Sequence, residues 1–364
     1  MDLTDFLLVL LRVVATFVLL LLVTVLNVWA ERKIVADMQN RIGPDRAGPW
    51  GILQTVADGL KLFFKEQVNP RKAEMGMFVL APFLAVIPAF LLFMMVPWGR
   101  PIEFADGSTF PLQGADLNIG LLFVLAMSSM AVYAVVLAGW SSGSKYPLLG
   151  GVRATAQAIS YEAALGLAMV AVVVWMAASG EDGVMTLSLS EIVARQQGTY
   201  LGFLPRWNIF PQFGAFLVFF IAAVAETNRA PFDLVEAEQE LVGGFHTEYS
   251  GMRFAMFFLA EYVNIFSMAA LGATLFLGGW NGQIDTLFGW STPGWLAAIL
   301  PTVYFLFKTY VIVFMFFWIR ATLPRLRYDQ LMNLGWKRLI PGAIGWLALT
   351  AVVAAFWRFD APWA

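Results

Sequence analysis

Eight stretches of this sequence are long and apolar enough to cross the hydrocarbon core of a bilayer, and few folds can accommodate that many. They fall near residues 4–30, 77–98, 117–140, 156–178, 210–226, 252–277, 296–319 and 340–358. A helix rising 1.5 Å per residue needs about 20 apolar residues to cover some 30 Å of hydrocarbon. With no water in that layer to satisfy the backbone, the spans must close their hydrogen bonds internally, as helices. The expected fold is therefore an all-α polytopic membrane protein of about eight transmembrane helices, one membrane domain over 1–364. The segment near 184–204 is too polar and too interrupted by glycine to be a ninth span.

Composition agrees. Sixty per cent of the residues are hydrophobic and 13% charged, about half the charged share of a soluble domain. The formal net charge of −2 argues against a nucleic-acid partner, which calls for a basic surface; the expected surroundings are membrane lipid. The chain has no cysteine and one histidine, His246. Disulfides, thiolate metal centres, cysteine-held iron–sulfur clusters and a bis-histidine haem on this chain are thereby excluded, and electrons for any redox chemistry must come from a partner. The first run is too long, and Asp2 and Asp5 too acidic, for a cleavable signal.

Lysine and arginine set the expected orientation. Seventeen lie in the four loops 31–76, 141–155, 227–253 and 320–339, and four on the opposite side. Both termini are therefore expected outside, in the periplasm of a bacterial inner (plasma) membrane, with the four basic loops cytoplasmic.

Those four loops carry the unusual residues. In the first, Ile52, Val56, Leu60 and Phe63 recur at helical spacing, with Gln54, Asp58, Lys61 and Lys65 on another face. This predicts an interfacial amphipathic helix over 51–66, either a membrane-surface strut or the wall of a ligand path. The second loop leads into Glu162, two turns inside the fourth span, where a carboxylate is costly unless it faces protein or water; the alternative is a headgroup-level acid. The third contains Glu226, Arg229, Asp233, Glu236, Glu238, Glu240, His246 and Glu248. Asp233, Glu236 and Glu240 would share one face of any helix formed there, and Glu238 another. Clustered acids raise one another's pKa and titrate as a set, which suits them to hold and pass protons; a solvated acidic face or a docking surface is the alternative. Glu261, in the sixth span, is a candidate functional acid, and Lys308, in the seventh, a candidate partner on the same logic. His246 reads as a satisfied loop histidine rather than a ligand. The fourth loop, with Arg325, Arg327 and Asp329 among aromatics, reads alone as a basic anchor.

Taken together the loops resemble the membrane subunit that joins the two arms of respiratory complex I, the proton-pumping NADH:quinone oxidoreductase: the H-subunit family, subunit 1 in mitochondria. The resemblance rests on Glu31-Arg32-Lys33, Gln39-x-Arg41-x-Gly43-Pro44, Leu53-Gln54-x-x-Ala57-Asp58-x-x-Lys61-Leu62-x-x-Lys65-Glu66 and Ser144-Lys145-Tyr146. It continues through Arg153-x-x-Ala156-Gln157-x-Ile159-Ser160-Tyr161-Glu162, Glu226-Thr-Asn-Arg229-x-Pro231-Phe232-Asp233, Glu236-x-Glu238-x-Glu240-Leu241 and Glu248-Tyr249-Ser250. It ends on Glu261-Tyr262 and Pro324-Arg325-x-Arg327-Tyr328-Asp329-Gln330-Leu331-Met332. These strings run in matching order over residues 1–358; Asp45 stands where the family usually has Asn.

The resemblance implies a non-redox subunit of a translocase, with no catalysis by the isolated chain. The substrate quinone would enter past Arg32, Arg41, Ile52, Val56, Phe63 and Lys65. Proton coupling would run through Glu162, Glu226, Asp233, Glu236, Glu240, Glu248 and Glu261. Arg229, Arg325, Arg327 and Asp329 would contact the peripheral arm, whose subunits carry FMN and iron–sulfur clusters, while other membrane-arm subunits flank this one. Part of the bundle would resemble half of an antiporter-like subunit. Two alternatives stand beside this: a homologous subunit of a hydrogenase or formate hydrogenlyase complex, and a stand-alone ion transporter.

Overall fold

The computed structural model describes residues 3–103, 109–180, 183–200, 204–233, 242–282 and 294–359. Helix α1 runs from Leu3 to Met38. A 3-10 turn at Pro49–Gly51 leads to α2, Gln54–Phe64. Then come α3, Met75–Met94; α4, Gly120–Ser141; α5, Lys145–Ser179; and the short α6, Leu189–Arg195. Helix α7 is Phe213–Glu226, α8 Gly251–Phe276, α9 Gly294–Thr322, α10 Tyr328–Leu334 and α11 Ile340–Phe359. Two two-stranded antiparallel ribbons, 102–103 with 109–110 and 199–200 with 204–205, are the strands among the described residues.

Each of the eight apolar runs is helical, but seven of the helices are long enough to cross a membrane, and the run near 210–226 is a helix of 14 residues. At 1.5 Å per residue it reaches about 21 Å. The approach to α7 is fastened to the end of α8 instead of continuing the helix: Ile209 N donates to Phe276 O at 2.9 Å and Asn208 Nδ2 to Leu275 O at 2.8 Å. Irregular backbone at such a depth is tolerable because it is buried against protein. Three other boundaries differ from those expected. α1 and α5 extend well beyond their apolar runs at the basic side, carrying Glu31 to Lys33 and Lys145 to Arg153 on helix, and the interfacial helix is 11 residues long.

Helix α5 sits at the centre, packed on α4, α7 and α11, while α8 packs on α1, α3, α7 and α9. Tyr161, Leu165 and Met169 of α5 are fully buried, as is almost every residue from Ile265 to Phe276 of α8. Small residues allow the closest approaches. A Cβ on Gly150 would lie 2.8 Å from Gly244 Cα, so the first turns of α5 meet the 244–246 turn backbone to backbone. α2 lies against α1 and α8, yet its apolar face stays open, with Val56, Leu60, Phe63 and Phe64 exposed.

Candidate functional site

At the basic end of the bundle, four elements deliver charge to one point. α1 supplies Glu31, which the extension of the helix past its apolar run carries into the protein. The turn after α7 supplies Arg229, whose position is fixed by backbone bonds back onto that helix, from Arg229 N to Val224 O at 3.3 Å. Gln157 of α5 pins the same helix end, donating through Nε2 to Ala225 O at 2.8 Å. α8 supplies Glu261 and Tyr262, and α9 supplies Arg320.

Arg229 Nη1 donates to Glu31 Oε1 at 3.1 Å, and its Nε lies 2.9 Å from Glu261 Oε1. Arg320 Nη1 donates to the same Glu31 oxygen, and the Arg229 guanidinium lies 4.6 Å from the centre of the Tyr262 ring. Glu31 and Arg229 are both buried, at 3% and 5% exposure. Two acids and two arginines make the cluster neutral, the condition under which charges persist away from water. Burial opposes the charge on Arg229, but the carboxylates of Glu261 and Glu31 outweigh it and hold its pKa above the ordinary arginine value.

A second pair of acids lies alongside. Ser128 and Ser129, adjacent on α4, donate to Glu226 and Glu162 respectively, so these carboxylates of α7 and α5 face a common helix and interact across it. A cavity of about 100 Å³ joins the two groups, and Ser128, Glu226, Thr227, Asn228, His246, Glu261 and Asn264 are its polar lining. His246 stands edge-on to Phe245 and Phe254, with ring centres 5.0 and 5.4 Å away. Burial pushes its imidazole down to about 4, with Asp233 pulling the other way, so it is neutral at pH 7.

The expected site residues thus divide. Glu162, Glu226 and Glu261 come together around the serine pair and the cavity; Asp233 acts on His246; Glu248, on the same turn, has no hydrogen-bond or ion-pair partner among the described residues. Glu236, Glu238 and Glu240 lie outside the described residues. Among the entrance residues, Arg32 donates to Asp58 at 2.6 Å, tying α1 to α2, and Arg41 Nε to Gln39 at 2.7 Å. Ile52 is half-buried, while Val56, Phe63 and Lys65 are exposed. Arg327 and Asp329 form an exposed two-bond pair at 2.8 and 3.1 Å, which holds the Asp329 carboxyl below the usual range, and Arg325 is half-buried beside them.

Arg229, expected at the contact with the peripheral arm, is buried within this chain, its guanidinium enclosed by Glu31, Glu261 and Tyr262. Lys308 is not the partner of Glu261. Its Nζ donates to the carbonyls of Leu277 (2.7 Å), Gly279 (3.0 Å) and Asn281 (2.5 Å), capping the far end of α8, and lies 4.4 Å from the Trp207 ring centre. Sequence reasoning missed the roles of Glu31 and Arg320. The available signal was helical: Glu31 lies four residues after the buried Asn27 on an apolar helix, hence on the inward face, whereas Arg32 points out.

Comparison with known proteins agrees with the strings quoted above. The NADH dehydrogenase family model matches residues 11–351. The H subunit of the NADH-quinone oxidoreductase of Frankia casuarinae is 47% identical over 363 residues, covering 98% of this chain and 76% of that protein. With a multi-pass helical fold in place, the chain belongs to the NADH dehydrogenase family, as a subunit of the H type and a membrane subunit of NADH-quinone oxidoreductase, complex I.

Proposed function

We propose that this chain forms the quinone entrance and part of the chamber wall where the membrane and peripheral arms meet, and that its buried carboxylates couple quinone reduction to proton translocation. The observation that carries the reading is the shared position of Glu261: it is one wall of the Arg229 ion cluster and also lines the cavity that contains Glu226. A buried acid in contact with both has a protonation state that each can bias.

Electrons reach the quinone from NADH through flavin and iron–sulfur clusters of partner subunits, since this chain has no cysteine to hold such a cluster. Each quinone takes up two electrons and two protons, which changes the local charge beside the third loop. Arg229 is held by two carboxylates, so a proton arriving on Glu261 loosens one side of it and leaves it to Glu31, which Arg320 already holds. The charge of the cavity wall then shifts, and Glu226 and Glu162, against the paired serines, respond as coupled acids. On the lipid side, the exposed apolar face of α2, with Val56 and Phe63, offers a path for a hydrocarbon tail. The polar wall beside it is supplied by Arg32, Arg41 and Lys65. The exposed Arg327–Asp329 pair, with Arg325, belongs to the surface offered to the peripheral arm. The basic asymmetry of the loops supports a topology with both termini in the periplasm of a bacterial inner membrane.

The test is Glu→Gln, which keeps shape and removes a proton site. In the assembled complex, Glu162→Gln and Glu261→Gln are expected to lower quinone reduction and proton pumping together, while NADH oxidation by an artificial acceptor continues. Glu162→Gln is the cleaner arm, because Glu162 holds no arginine. Full pumping stoichiometry at normal rate in both variants overturns the reading. Co-purification with a nickel–iron partner in place of quinone-site subunits would also overturn it.

A further inference from the structure

We propose that the N-terminal part of α1 and the end of α3 form a binding site for one membrane phospholipid, its phosphate on Arg12 and an acyl chain in the cavity between the two helices. Arg12 lies inside the first apolar run of a continuous helix. Twenty residues separate it from Arg32, a rise of about 30 Å, the thickness of the hydrocarbon core. With Arg32 and Lys33 at one boundary of the membrane, Arg12 stands at the other.

An arginine at that place favours an anion. The Arg12 side chain has no hydrogen-bond or ion-pair partner among the described residues, and its Nε is buried. A guanidinium within an apolar run is costly unless it pairs or reaches the interface. Side chains on a helix lean toward its N-terminus, which here is the outward direction, toward the headgroup layer.

Directly beneath it is a hydrocarbon-lined space. A cavity of about 140 Å³ opens between α1 and α3, lined by Val13, Phe17 and Leu20 on one side and Phe90, Phe93 and Met94 on the other, with Thr16 at its polar edge. Arg12, Thr16 and Leu20 follow one another at four-residue spacing on one helix face, so the guanidinium heads the same stripe that walls the cavity. Apolar cavities of this size stay dry and accept hydrocarbon. Trp98 Nε1 donates to Thr16 Oγ1 at 3.3 Å and Thr16 Oγ1 to Arg12 O at 2.9 Å, which gives the mouth an indole at headgroup level, where tryptophan is favoured. Phe17 and Val14, at 45% and 48% exposure, leave the side of the cavity open toward lipid.

Charge at one end and hydrocarbon in line below it select the ligand. A neutral quinone headgroup offers Arg12 no counter-charge, and a free phosphate has nothing to place in the cavity. A phospholipid supplies both. The site lies at the end of α1 away from Glu31, so it stands independently of the proposed coupling route.

The test uses the whole complex in mild detergent, with a phosphatidylglycerol carrying a photoreactive group on its acyl chain. Wild type is expected to be labelled within Leu11–Leu20. Labelling should fall at least fivefold in Arg12→Leu and in Leu20→Trp, which fills the cavity, and be largely retained in Arg12→Lys. NADH oxidation by an artificial acceptor normalises for assembled complex. Equal labelling of wild type and Arg12→Leu overturns the proposal. So does loss of labelling on adding a quinone but not unlabelled phospholipid, or a photoreactive residue at Val14 joining to a neighbouring protein in place of lipid.

Discussion

Arg229 and Glu31, separated by 198 residues in the chain, meet at 3.1 Å in a buried contact. Arg229 also touches Glu261, so one guanidinium ties the end of α1 to the middle of α8. Breaking a buried pair from one side costs about 3–5 kcal/mol, because the other charge is left uncompensated. Arg229→Met is therefore expected to lower the thermal stability of the complex strongly. The double variant Arg229→Met with Glu261→Gln should lose less than the two single variants added together, by about 0.5–3 kcal/mol. A thermal-unfolding double-mutant cycle measures this; strict additivity means that the two side chains do not interact.

The exposed face of α2 gives a second prediction. Val56→Trp and Phe63→Glu change groups outside the packed core, since both are exposed. They should reduce quinone reduction several-fold and leave NADH oxidation by an artificial acceptor intact. Parallel loss of both activities would mean failed assembly and would remove α2 from the quinone path.

His246 titrates with a definite sign. Its folded pKa lies at about 4, below the ordinary 6.5, because burial disfavours the charged ring. Below pH 6.5 the unfolded chain binds a proton that the folded protein refuses, so stability falls as pH drops. Its contribution is fully present above pH 6.5 and declines from there down to about pH 4. His246→Phe should flatten the dependence of the unfolding temperature between pH 7 and pH 5, read by a thermal-shift series in buffers of matched ionic strength. An unchanged slope would place the imidazole in water.

Lys308 should matter for stability more than for coupling. Its ammonium satisfies three carbonyls at the end of α8, and each buried carbonyl left bare costs about 1–3 kcal/mol. Lys308→Met is expected to lower the yield and unfolding temperature of the complex. The ratio of protons pumped to quinone reduced by what assembles should stay normal. A changed ratio would put Lys308 on the coupling route.

The sequence alone determined that this is a helical membrane protein, because runs such as 77–98 and 117–140 leave their backbone no other way to satisfy itself in lipid. It also determined the family, since long charged strings in the loops are specific in a way that apolar spans are not. Glu162 and Glu261 were legible as candidates because an acid in an apolar helix is conspicuous wherever that helix packs. Partnership was not legible. Hydropathy gives the depth of Lys308 and Arg229 but not which neighbour each side chain faces, and that is set by how α1, α7, α8 and α9 are rotated against one another. The tertiary structure therefore decided that Arg229 turns inward between Glu31 and Glu261, that Lys308 caps a helix end instead, and that α7 stops at 14 residues. Each outcome depends on contacts between segments far apart in the chain, and a local pattern of residues carries no record of those contacts.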